Sequence, residues 1–160
     1  MVAVVDGAPG KLIQRWREIY DAEQARRLPP HTTLCYWVPD VDLGMLERQV
    51  RHAFAAGAIV HLGPVREFDN DQHTFYVEVG DAESLNVARR KLYDGTHLEL
   101  PGYRDWTWHV TCVRESNGRH LKALRAAARD LKLNMAWDIR QVACLELQGD
   151  RYQPVAEWRL

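Results

Sequence analysis

The chain has 160 residues, 46% hydrophobic and 27% charged, and its 21 Lys and Arg against 22 Asp and Glu leave a formal net charge of −1. A chain of this length and composition buries enough apolar surface to fold without a metal or disulfide staple, which excludes wholesale disorder. The near-neutral balance excludes broad electrostatic binding of duplex DNA, which takes a strongly basic surface, but leaves room for a local basic cleft around a small phosphate.

Residues 1–11 are too short and too weakly apolar for a signal peptide. No later run approaches the roughly 18 apolar residues of a membrane span, so a cytoplasmic protein with no membrane contact is expected. Residues 2–6 are β-branched and predict a strand, which Gly7-Ala8-Pro9-Gly10 breaks. Leu12, Trp16 and Ile19, widened by Ile13 and Tyr20, predict a helix over 11–27 that Pro29-Pro30 stops. Residues 31–38 predict a strand. Asp40 or Asp42 then caps a helix with Leu43, Leu46, Val50 and Phe54 on one face, ending at Gly57.

Residues 59–68 and 73–79 predict two strands around Asp69-Asn70-Asp71. Asp81 caps a helix carrying Leu85, Ala88 and Leu92, which Asp94-Gly95 ends. Beyond a loop with Pro101 and Gly102, residues 106–113 predict a strand, and Asn117 caps a helix with Leu121, Leu124, Ala128 and Leu131 inward. Residues 138–147 and 152–158 close the chain as a hairpin around Gly149-Asp150.

The two halves read alike, strand–helix–strand–helix–strand, with one further strand at the end. The 78 residues that separate His31 from His109 also carry Thr33 onto Thr111, Leu43 onto Leu121, Leu46 onto Leu124 and the strand at Ile59 onto one at Trp137. Two such halves without a polar linker imply one bilobal domain over 1–160, each lobe a sheet with helices on its outer face.

His31-Thr32-Thr33 and His109-Val110-Thr111 are both H-x-T. By composition about 0.35 such matches are expected, so the pattern alone is weak, and the matched context carries most of the weight. On a strand, residues i and i+2 share a face, so each His projects with its Thr. Lobes related by a pseudo-twofold axis set the two pairs across one cleft. That arrangement suits attack at phosphorus: one imidazole takes a proton from the nucleophile, the other protonates the departing oxygen, and the Thr hydroxyls donate to non-bridging oxygens. No metal or other cofactor is required.

These motifs, with the prolines of PPHTTL and the HVTCVR stretch ending in Arg114, resemble the two-histidine (2H) phosphoesterase superfamily, which includes 2′-5′ RNA ligases and 2′,3′-cyclic phosphodiesterases. The resemblance covers essentially the whole chain. It implies a duplicated α+β fold of antiparallel-rich sheets with the active cleft between lobes, and catalytic roles for His31, Thr33, His109 and Thr111. The function implied is metal-independent hydrolysis of a 2′,3′-cyclic phosphate on an RNA end or small nucleotide, reversible as 2′-5′ RNA ligation. Two other readings stand beside it: cleavage of cyclic oligonucleotide signals, as in phage counter-defence, and a non-catalytic RNA- or nucleotide-binding module. The chain is expected to act as a monomer.

Among substrate-binding candidates, Arg114 has the planar fork that pairs with phosphate. Trp37 shares the His31 face by alternation and offers a ring for a base. Tyr103, Arg104 and Trp106, before the second motif, are placed to shape a nucleotide pocket. Trp108, Val110 and Cys112 alternate into the core. Cys35, Cys112 and Cys144 lack CxxC spacing and read as reduced core thiols, not zinc ligands. His52, His61, His73, His97 and His120 read as surface or rim residues, and Arg125 and Arg129 as solvated.

Overall fold

A computed structural model of the protein describes residues 1–36, 42–96, 106–115, 118–131 and 133–160. In chain order the elements are β1 (Val2–Val4), α1 (Gly7–Tyr20), α2 (Ala22–Arg27), β2 (His31–Thr33), α3 (Leu43–Ala53), β3 (Ile59–Glu67) and β4 (Thr74–Gly80). They continue with α4 (Glu83–Thr96), β5 (His109–Arg114), α5 (Leu121–Asp130), β6 (Met135–Asp138), β7 (Gln141–Gln148) and β8 (Arg151–Arg159). Among the described residues the strands form two antiparallel four-stranded sheets, β2-β1-β7-β8 and β5-β4-β3-β6, so the fold is α+β.

The duplication is visible in the registers. His31 stands beside Val4 and Thr33 beside Val2, as His109 stands beside Glu78 and Thr111 beside Tyr76. The third strand, however, changes sides. β3 of the first half pairs with β4 of the second, and β7 pairs with β1 of the first. Val142 then lies beside Ala3 as Val65 lies beside Val77. Neither sheet can be completed from one half alone, and the buried side chains of both halves form one continuous cluster.

This exchange corrects the expected single strand over 138–147. Trp137 lies on β6, an edge strand beside β3, and the chain leaves it at Asp138 before β7 begins at Gln141. The first helix also differs. It begins at Gly7, because Pro9 falls in the first turn, where its missing N–H has no intrahelical partner to lose. Gly10 is there for close packing rather than to break the chain: a Cβ would collide with the Val5 carbonyl. The helix divides at Asp21 (φ −152°, ψ 63°), whose carboxylate caps α2 by accepting the Gln24 N–H at 3.2 Å. Its buried face is Gly10, Ile13, Trp16 and Arg17, and the expected stripe residues Leu12 and Ile19 are exposed.

Asp42 caps α3 as expected, accepting the Met45 N–H at 2.7 Å, but Leu43 is exposed at the cleft. α4 runs through Asp94-Gly95 to Thr96, and Gly95 lets the Gln49 side chain of α3 lie against it. β2 stops at Thr33 because the Leu34 and Cys35 N–H groups both turn to the Met1 carbonyl; β5 starts at His109 rather than at Trp106. Asn117, the expected cap of α5, lies outside the described residues. Among the described residues no helix is long and apolar enough to cross a membrane.

Candidate active site

Among the described residues β2 and β5 each lie at one edge of their sheet, and they meet where the sheets abut. Alternation then sorts their side chains. Thr32, Val110 and Cys112 are buried in the core, while His31, Thr33, His109 and Thr111 are half-buried on the opposite faces. All four of these line one cleft of about 680 Å³, together with Arg17, Tyr36, Arg114 and Tyr152, a size suited to a small organic ligand.

The two imidazoles are held in the same way. His31 Nδ1 donates to the Pro29 carbonyl at 2.8 Å, and His109 Nδ1 donates to the Thr107 carbonyl at 2.8 Å. Each bond reaches two residues back along the chain and puts the proton on Nδ1, leaving Nε2 as the nitrogen available to a ligand. Burial pushes the His31 imidazole down to about 4; the Arg17 guanidinium and His109 itself add to the shift against the pull of the Pro29 carbonyl. Burial also lowers His109, with Arg114 adding to the effect. Burial thus favours the neutral form of both rings, and an anion that offsets the nearby cations would raise both.

Arg17 was not legible as a site residue. It is 3% exposed, gives Nη2 to the Gln24 carbonyl at 2.7 Å, and keeps a buried Nε without a partner. Its signal was an arginine on the apolar stripe of Ile13, Trp16 and Tyr20, which a stripe centred on Leu12 concealed. Arg114 is exposed at the end of β5, and its backbone N–H donates to Asp21 Oδ2 at 3.0 Å. Arg17 and Arg114 set two cations against Glu146 among the lining charges, so the cleft favours an anion.

The aromatic surroundings differ from expectation. Trp37, Tyr103 and Arg104 lie outside the described residues. Tyr36, 48% exposed, takes the cleft position and meets Trp106 edge-on at 5.7 Å. Trp106 in turn lies under the Arg89 guanidinium at 3.7 Å. On the other side, Phe68 stacks on Tyr76 at 3.9 Å, and both meet the His109 ring edge-on at 5.1 and 5.6 Å. No sequence pattern joins Phe68 to His109; the β3–β4–β5 registers bring them together.

Elsewhere, His61 contacts Asn134 and His73 contacts Glu67, and His97 lies outside the described residues. Arg125, expected to be solvated only, forks onto Glu67 at 2.9 and 3.0 Å. The three cysteines are buried and unpaired. Among the described residues no group of three or more His, Cys, Asp or Glu could hold a metal ion.

The sequence model of the 2′-5′ RNA ligase superfamily matches residues 5–151. Among solved structures, E. coli LigT complexed with NADP⁺ is similar at a TM-score of 0.59 and 14% identity, covering 99% of this chain and 95% of that one. A protein described as a phosphoesterase gives 0.58 and 14%, with 99% and 95% covered. E. coli LigT complexed with 3′-AMP gives 0.56 and 14%, again with 99% and 95% covered. At such identities the likeness is one of fold. No curated protein sequence matches the chain.

Proposed function

The chain belongs to the 2′-5′ RNA ligase superfamily, and from that premise we propose that it is a metal-independent phosphodiesterase that opens a 2′,3′-cyclic phosphate on an RNA end or a small nucleotide. The observation that carries this reading is the matched pair of imidazoles. Two histidines from two edge strands each spend Nδ1 on a carbonyl at 2.8 Å and keep Nε2 for the same cleft. E. coli LigT has been solved with NADP⁺ and with 3′-AMP, which supports a nucleotide as the ligand class.

In the proposed reaction His31, the more neutral ring, acts as base. Its Nε2 takes a proton from water as the water oxygen bonds to phosphorus. The bond from phosphorus to one ribose oxygen breaks, and that oxygen takes a proton from His109 Nε2, leaving a phosphomonoester and a hydroxyl. His109 enters the step protonated because the bound phosphate anion, set against Arg17 and Arg114, raises its pKa. Thr33 and Thr111 donate to the non-bridging oxygens where charge accumulates. With an RNA 5′-hydroxyl in place of water, attack at phosphorus and cleavage of the P–O3′ bond gives a 2′-5′ diester.

The test is turnover of 2′,3′-cyclic nucleotides with EDTA present, by the wild type and by His31→Ala and His109→Ala. Loss of turnover in both folded variants is expected. Wild-type turnover in both would leave a binding module instead.

A further inference from the structure

Outside the cleft, an open groove of about 800 Å³ runs between α1, α2 and the β7–β8 turn. It shares Leu28 and Tyr152 with the cleft, so the two depressions meet at one saddle. Lys11 and Arg15 of α1, Arg26 and Arg27 of α2, and Arg151 of the hairpin line it. Asp6 and Glu18 are the anionic side chains there.

In a chain whose net charge is −1, five cations against two anions is a local concentration of positive charge. Arg27 pairs with Glu23 at 3.6 Å and retains a buried Nε without a partner. Lys11 and Arg15 are exposed about one helical turn apart, about 6 Å along the axis, so they can meet successive charges of an extended ligand. Tyr152, 38% exposed at the saddle, offers a ring for a base at the bend.

We propose that this groove carries the single-stranded RNA chain that leads to the reacting phosphate, making polynucleotide ends, rather than free cyclic mononucleotides, the preferred substrate. The inference rests on the phosphodiesterase reading of the cleft for its chemistry, but the groove can be tested without it. A flexible single strand can turn the saddle with its phosphates on the cations, whereas a mononucleotide fills the cleft and leaves the groove empty.

The experiment compares the wild type with the triple variant Lys11→Glu, Arg15→Glu, Arg151→Glu, whose three side chains are exposed and lie outside the cleft. Two readouts are taken: kcat/KM on a cyclic-phosphate series from mononucleotide to octanucleotide, and fluorescence anisotropy of a labelled single-stranded octanucleotide RNA. Three single-strand phosphate contacts predict that wild-type affinity falls about 20-fold between about 50 and 200 mM salt. kcat/KM should rise with length in the wild type, and the triple variant should lose both the rise and the salt dependence while turning over the mononucleotide like the wild type.

Octanucleotide binding that the triple variant shares undiminished, or that is absent in both proteins, overturns the groove proposal. So does mononucleotide turnover with no gain on lengthening. Salt-dependent, variant-sensitive binding with no turnover of any cyclic phosphate would instead support the groove and sink the catalytic reading.

Discussion

Asp21 holds Arg114 from 93 positions away: one carboxylate oxygen accepts the Arg114 backbone N–H at 3.0 Å, and the other caps α2 through Gln24 at 3.2 Å. One side chain thus fixes the break between α1 and α2 and anchors the far end of the second motif strand.

Asp21→Ala removes both acceptors and should destabilise the fold by about 1–3 kcal/mol, the sum of a lost cap and a lost backbone partner. Asp21→Asn keeps an oxygen for one of them and should recover part of that loss. Urea unfolding of the two variants checks this. Equal midpoints for wild type and Asp21→Ala would show that the bridge contributes nothing.

Activity should have a bell-shaped pH dependence set by the two rings. In kcat/KM, which reports the free protein, the rising limb follows His31 near about 4 and the falling limb follows His109, lowered by burial. The maximum should therefore fall on the acid side of about 6.5, the value of an unperturbed imidazole. The kcat profile should sit at higher pH, because the bound anion favours both imidazolium forms. A kcat/KM that still climbs above neutrality would rule out these two groups as the base and acid.

Stability should carry the same signature. The folded pKa of His31 is depressed, so the contribution of the neutral ring is complete above about 6.5 and is lost as pH falls towards about 4. The cost across that window is on the order of 3 kcal/mol at about 1.4 kcal/mol per pH unit. His31→Asn should flatten the fall in urea midpoint between neutral and acid pH.

The motif residues should divide their labour unevenly. His31→Ala and His109→Ala should each lower turnover on the order of 10²- to 10⁴-fold, and the double variant should be little worse than the worse single one. Thr33→Val and Thr111→Val should cost about 1.5–3 kcal/mol each in transition-state stabilisation. Excess EDTA should leave the wild-type rate unchanged; a rate lost to EDTA and restored by Mg²⁺ or Mn²⁺ would overturn the paired-histidine mechanism.

Arg89 should matter for stability although it lies outside the cleft. It is 9% exposed, donates Nε to the Leu34 carbonyl at 3.1 Å just after the first motif, and covers Trp106 at 3.7 Å. Arg89→Met should destabilise by about 2–4 kcal/mol through an unsatisfied carbonyl and a lost cation–π contact, with little rescue by Arg89→Lys. Thermal melts of the two variants decide it.

The motif pairs, their strands and the duplication were legible in the sequence because each rests on short-range order. Alternation puts His31 with Thr33 and His109 with Thr111 whatever surrounds them, and the spacing of Leu46 and Val50 marks a buried helix face. The exchange of β3 and β7 between the sheets has no such local sign, since either partner would satisfy the same hydrophobic pattern, and only packing of both halves into one core decides it. The same holds for the charged and aromatic neighbours of the rings. Arg17 reads as an ordinary helix position until α1 is laid beside the second motif strand, and Phe68 reaches His109 only through the pairing of β3, β4 and β5. Local periodicity determined which side chains share a face. Contacts between residues distant in the chain determined what those faces meet, and through burial and neighbouring cations they set the titration of the two histidines.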